Sequence, residues 1–149
     1  MGIAQERRLS ECPARRARPD TGLSESYPAV PSAVPAARHA VVQFAAAAGA
    51  NGHQLEAIAL AISEAVTNAV QYAYPASTGR IEVNAWLAGG ELWMIVADDG
   101  CGLEAGSKGG GLGQGLALIS QMADGLSIHH RSSGGTGVCA HFALTGARA

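Results

Sequence analysis

Residues 62–72, Ile-Ser-Glu-Ala-Val-Thr-Asn-Ala-Val-Gln-Tyr, constrain this chain more than any other stretch. Leu55, Ile58, Ile62, Val66, Ala69 and Ala73 recur at steps of three and four, the period of one helix face. Leu60, Ala61 and Val70 make the rest of the cylinder largely apolar, so the helix is expected to be buried. Glu64 and Asn68 stand out in that setting. They are four residues apart and lie one above the other. A carboxylate inside an apolar helix is costly unless it is paired, hydrated or used. A carboxamide one turn on can offer an oxygen to a hard cation such as Mg²⁺. An isolated E-x-x-x-N pattern more often marks a solvated helix edge. The glycine-rich segments downstream reverse that preference here.

Those segments follow a hairpin. Residues 80–88 alternate Ile81, Val83, Ala85 and Leu87 with Glu82, Asn84 and Trp86, the period of a strand with one buried face. Gly89-Gly90 reads as a two-residue turn. Residues 91–97 are apolar on both faces, which predicts a central strand. That strand runs into Asp98-Asp99-Gly100-Cys101-Gly102, and eight of the 17 residues from 99 to 115 are Gly. Asp98, at a strand end before two glycines, can accept a hydrogen bond from an exocyclic amine. The glycines leave room for a flat ring, although an Asp in a turn is common for its own sake. Gly111-Leu112-Gly113-Gln114-Gly115 opens a helix expected from about 113 to 123. Glycines let backbone approach a ligand closely, and a helix N-terminus suits phosphate. No Gly-Lys-Ser/Thr follows, so this is not a P-loop, and the strand that a dinucleotide fingerprint needs is not adjacent. Lys108, the chain's single lysine, lies in this loop. It serves equally to reach a phosphate or to keep a loop soluble.

The remaining elements follow from punctuation and period. A weak edge strand is expected at 23–27, with prolines at 28, 31 and 35 behind it. A helix is expected from about 32 to 48, its face formed by Val34, Arg38, Val41, Val42 and Ala45 and its end set by Gly49. Asn51 can cap the next helix, from 52 or 53 to 74. Two strands at 126–131 and 138–144 flank a glycine-rich turn, with Val138, Ala140, Phe142 and Leu144 on one face. This order predicts an α/β two-layer sandwich, a mixed and mostly antiparallel sheet with helices on one face.

The bulk numbers close off other classes. With 149 residues, 48% hydrophobic and 15% charged, the chain can bury one real core and is not of disordered composition. No apolar run approaches the roughly 20 residues of a membrane helix, and no signal peptide is visible, so a cytoplasmic protein is expected. Residues 1–20 carry five Arg against Glu6, Glu11 and Asp20, whereas the rest carries five basic and nine acidic side chains. The folded part therefore lacks the basic face of a nucleic-acid binder. The aperiodic segment 1–21 is expected to be a solvated tail, 22–146 a single domain and 147–149 a short tail. Cys12, Cys101 and Cys139 suggest no disulfide framework and no zinc site, and the five His show no ligand spacing.

Taken in order, Glu64/Asn68, Asp98/Gly100/Gly102 and Gly111/Gly113/Gly115 resemble the N box and the two glycine boxes of the GHKL ATPase superfamily, whose fold is the Bergerat or histidine-kinase-like ATPase fold. Ser63 to Val70, followed shortly by an aromatic residue, resembles in particular the anti-sigma-factor serine kinases. The likeness covers about residues 22–146. It implies ATP and Mg²⁺ as cofactors. Asn68 would hold the metal, Asp98 would read the adenine amine, and Gly100 and Gly102 would shape the adenine pocket. Gly111, Gly113 and Gly115 would cradle phosphate, with Lys108, Leu116 and Thr136 as further nucleotide contacts. Glu64 would be the general base toward a serine hydroxyl. Asp99 and Gln114 depart modestly from the family pattern without removing a required group.

The function so implied is an ATP-dependent anti-sigma factor and protein-serine kinase. Its partners would be a sigma factor and a small STAS-type antagonist, with no direct nucleic acid and no membrane; a homodimer stays open. Two alternatives stand beside it. One is an ATP-binding partner switch without phosphoryl transfer, against which an intact Glu64 argues. The other, more distant, is the catalytic module of a histidine kinase, for which residues 1–50 offer only His39 as an acceptor.

Overall fold

The computed structural model of the chain describes residues 22–73, 79–99, 112–130 and 135–144. The expected tail, 1–21, and most of the glycine-rich loop lie outside them. The elements run β1 (Leu23–Pro28), α1 (Ala33–Ala47), α2 (Gly52–Asn68), a π-helical turn (Ala69–Ala73), β2 (Arg80–Ala88), β3 (Glu91–Asp98), α3 (Leu112–Met122), β4 (Gly125–His130) and β5 (Thr136–Ala143).

The strands form one sheet in the order β1-β2-β3-β5-β4. Each described pairing is antiparallel. The expected mixture of directions does not arise among them, because hairpins and edge returns supply every neighbour. β3 is central, as its two apolar faces require. Ile81, Val83 and Ala85 of β2, Leu92, Met94 and Val96 of β3, and Val138, Ala140 and Phe142 of β5 point to one side. There they meet α1, α2 and α3 in a single core. Leu87, expected on that face, is 47% exposed. It sits at the hairpin end.

α1 buries Ala33, Ala37, Val41 and Ala45, a stripe rotated from the expected one. Arg38 and Val42 flank it. Small residues at i, i+4 let α1 pack closely, so alanines form the contact face where the larger valines were expected to. α2 starts where Asn51 predicts. The Asn51 side chain accepts from the Gln54 N–H at 2.8 Å, and the Gln54 side chain accepts from the Asn51 N–H at 2.8 Å, a complete capping box. Gln54 also donates to the Ala143 carbonyl, tying α2 to the end of β5. Ile58, Ala61, Ile62, Ala65 and Val66 are buried along one face of α2, whereas Leu60, expected to help enclose the rest of the cylinder, is only half-buried.

The opposite face of the sheet carries no described helix. It is not the polar face that alternation in β2 suggested. Trp86, Ile95 and Cys139 form a second buried cluster with Trp93 packed against it. Trp86 and Trp93 stack at 6.4 Å, and Trp93 stacks on His141 at 4.3 Å. Cys139 is disulfide-bonded, which corrects the expectation that the cysteines are unpaired.

Candidate nucleotide site

The site is assembled where α2 meets α3. Glu64 is half-buried and Asn68 is buried, on successive turns of α2. Directly opposite is Gly115 in the first turn of α3. A methyl group on Gly115 would lie 3.0 Å from Glu64 Oε2, 3.3 Å from Asn68 Nδ2 and 3.4 Å from Asn68 Oδ1. The last glycine of the second box therefore touches both polar residues of the N box. Its missing side chain is what allows the approach. The N-terminus of α3, where backbone N–H groups lack helical partners and the dipole end is positive, faces a carboxylate and a carboxamide. Asn68 Nδ2 is buried with no hydrogen-bond partner. An unmet polar group at that depth is costly, which makes Asn68 a candidate ligand contact.

The chain changes helix type at this point. The α-helical ladder ends at Asn68, and Ala69–Ala73 is π-helical. Such insertions are frequent at functional sites. The π turn packs against β3, which links the N box to the strand that ends in Asp98.

Asp98 is 6% exposed and pairs with Ile81 across the β2–β3 ladder. Gly135, just before β5, sits on its backbone. A Cβ there would fall 1.8 Å from the Asp98 carbonyl oxygen and 2.6 Å from the Asp99 Cα. Only glycine fits. Thr136 follows, 3% exposed, so its hydroxyl is enclosed beside the strand end that presents Asp98.

Among the sequence-derived site residues, the structure thus brings together Glu64, Asn68 and Gly115, and separately Asp98 with Thr136. α3 begins at Leu112, one residue before the expected start near Gly113, so the last two glycines of the second box are helical. Leu116 packs, partly buried, against the core. Gly100, Gly102, Lys108 and Gly111 lie outside the described residues. Sequence reasoning missed the π turn, which has no sequence signal of its own. It also missed the role of Gln54, which the Asn-x-x-Gln spacing could have revealed.

A family model for the histidine kinase-like ATPase domain matches residues 27–142. The chain belongs to this family. Its members' name implies ATP as the nucleotide, and α2, β3 and the N-terminus of α3 are the parts of this ATPase domain described above. Among curated proteins, the serine-protein kinase RsbW of Bacillus licheniformis is 38% identical over 87 residues, 58% of this chain and 54% of that protein. An anti-sigma F factor of Clostridium kluyveri is 35% identical over 68 residues, 46% of this chain and 48% of that protein. The chain thus matches about half the length of these relatives. A crystal structure of the RsbU and RsbW domains of a Mycobacterium tuberculosis protein superposes with a TM-score of 0.67 at 30% identity, covering 85% of this chain and 33% of the other. For membrane association, no helix among the described residues is long and apolar enough to cross a bilayer.

Proposed function

We propose that this ATPase domain is a protein-serine kinase of the anti-sigma type: it holds a sigma factor and phosphorylates a small STAS-type antagonist at the expense of ATP, in the cytoplasm. The observation that carries the reading is the convergence of Glu64, Asn68 and Gly115 at the first turn of α3. The names of the serine-protein kinase and anti-sigma F relatives support it.

The residues suit phosphoryl transfer, which asks mainly for positioning and charge neutralisation. The N-terminus of α3 receives phosphate oxygens through its free N–H groups. The buried, unpartnered carboxamide of Asn68 fits a Mg²⁺ site, since either of its two polar atoms can be turned to the ligand. Bound Mg²⁺ would supply neutralisation of the triphosphate charge. Glu64, one turn before Asn68, takes the proton of the acceptor serine as its oxygen bonds to phosphorus and the bond to ADP breaks. Asp98 accepts a hydrogen bond from the adenine amine, in a pocket that Thr136 helps to close.

The test separates chemistry from binding. Glu64→Gln keeps shape and removes basicity, so phosphorylation of the antagonist should slow by about 10²–10⁴-fold while ATP binding stays near wild type. Asn68→Ala should weaken Mg²⁺-ATP binding itself. Intact-mass spectrometry of the antagonist and nucleotide calorimetry read the two effects. A Glu64→Gln variant as fast as wild type removes the base assignment. A wild type that binds its partners with ATP but transfers no phosphate makes the chain a partner switch.

A further inference from the structure

The outer face of the sheet holds a cavity that the nucleotide site does not use. Trp86, Trp93, His141 and Gly125 stand opposite one another across β2, β3, β5 and β4. The first three form a row of near-parallel rings: Trp86 and Trp93 differ by 12° in plane, Trp93 and His141 by 23°. The fourth position has no side chain. A Cβ on Gly125 would collide with His141 Nε2, so the imidazole leans into the space that the glycine leaves. The imidazole Nδ1 is held 2.7 Å from Glu91 Oε2. An indole face, a carboxylate and a strand therefore fix the ring.

A cavity of about 140 Å³ opens beside it, walled by Trp93, Asp124, Gly125, Ser127 and His141. It is remote from the nucleotide site. Six residues of extended chain separate His141 from Gly135 at the Asp98 corner, about 20 Å. The helices of that site pack on the other face of the sheet.

Three properties say what fits. The first is size. A cavity of ~150 Å³ holds one benzene molecule, so this one takes a single six-membered ring. The second is shape. Two of the walls are aromatic, which favours a flat guest stacked on them or set edge-on. The third is charge. Asp124 lines the cavity, and Glu91 stands behind His141. Asp124 Oδ2 accepts the Ala143 N–H at 2.6 Å, which leaves Oδ1 for a guest. Among the described residues the lining contains no Lys or Arg. With His141 neutral these carboxylates leave two negative charges around the cavity; with it protonated, one remains. Anions are repelled in either state. A cation gains from the carboxylates and from the electron-rich indole. A metal ion is not the favoured guest, since no group of three or more His, Cys, Asp or Glu among the described residues could hold one.

We propose that this cavity binds a small aromatic cation: one flat ring bearing a planar, hydrogen-donating positive group of the amidinium type. The ring packs against Trp93 and His141 above Gly125 and Ser127, and the cationic head donates to Asp124. Binding is non-covalent. The proposal is independent of the kinase reading.

Titration of the full-length protein with benzamidine, benzamide and benzoate tests this by two-dimensional amide NMR. The probes are near-isosteric and are positive, neutral and negative in turn. Benzamidine should give saturable shifts at the Trp93 indole N–H and at the Gly125 and Ser127 amides, benzamide weaker ones and benzoate none. Asp124→Asn keeps an acceptor for the Ala143 N–H and removes the charge. It should weaken benzamidine by about two- to fivefold, the range of a partly exposed ion pair, and leave benzamide as it was. Ser127→Leu fills the cavity and should abolish both, while an unchanged spectrum away from β4 checks that it is folded. Equal binding of the three probes, or tighter binding of benzoate, overturns the choice of a cation. The site itself is refuted by an absence of saturable shifts, by shifts confined to the α2–α3 corner, or by a folded Ser127→Leu variant of wild-type affinity.

Discussion

The two corners of the candidate nucleotide site are built by opposite means. At the α2–α3 corner, side chains converge on a gap: Glu64 and Asn68 reach toward a glycine that leaves them room, and one buried donor has no partner. At the β3–β5 corner, backbone closes on backbone: Gly135 lies on the Asp98 carbonyl, and Asp98 and Thr136 are both under 10% exposed. The first corner leaves a buried polar group unmet. The second is locked by the sheet. Substitutions that crowd the backbone of the locked corner should therefore cost folding, whereas changes of polar side chain at either corner should cost binding or chemistry.

The largest effect is expected at Gly135. A Cβ 1.8 Å from a main-chain oxygen cannot be relieved by turning a side chain. Gly135→Ala must push β5 away from β3 or abandon the pairing beyond Gly137. Overpacking of this kind typically costs ~1–3 kcal/mol, and more where backbone must move. Chemical denaturation measures it. A variant of wild-type stability would show that the corner is compliant and would dissolve the contrast between the two.

Asp98→Asn comes next, and sharpens the contrast from inside the locked corner. The backbone is untouched, so stability should change little. A donor replaces an acceptor oxygen at the end of β3, and adenine binding should weaken by about 1–3 kcal/mol, the range for leaving a buried polar group unpaired. Titration calorimetry with ATP and GTP reads it. Equal affinity of the wild type for both bases would remove Asp98 from base recognition.

The same contrast explains what was legible in sequence. Features written in side-chain type and spacing came through: the inward face of Ile81, Val83 and Ala85 in β2, the central place of β3, the cap at Asn51, and the placing of Glu64 and Asn68 on successive turns. Features written in backbone did not. The π turn after Asn68 changes hydrogen-bond register, and Ala-Val-Gln-Tyr-Ala carries no mark of it. The start of α3, expected near Gly113, falls at Leu112, so Gly113 and Gly115 are helical although glycine is a poor helix former, and Gly115 lies against Glu64 and Asn68. On the outer face, Trp86 shared an alternation with Glu82 and Asn84 and so read as one more outward residue. Period-2 patterning gives the side of the sheet a residue occupies and says nothing about what lies over that side.

The smallest effect, and the one that discriminates best, is expected at Gly115. Here two consequences of a single methyl group should have opposite signs. Alanine is a better helix former than glycine by roughly 0.5–1 kcal/mol, though less is realised in a first turn. Its Cβ would meet the ends of two side chains, Glu64 Oε2 at 3.0 Å and Asn68 at 3.3–3.4 Å, and not main chain. Side-chain ends can move by the few tenths of an ångström required, so Gly115→Ala should melt within a few degrees of wild type or slightly above it. The same small displacement takes Glu64 and Asn68 off the geometry that a phosphate at the N-terminus of α3 needs. Nucleotide affinity should therefore fall while stability does not. Thermal melts with and without Mg²⁺-ATP measure both in one experiment: the apo transition holds, and the ligand-induced rise shrinks. A loss of stability comparable to Gly135→Ala would mean that both corners are locked. An unchanged ligand-induced rise would mean that the first turn of α3 lies outside the site.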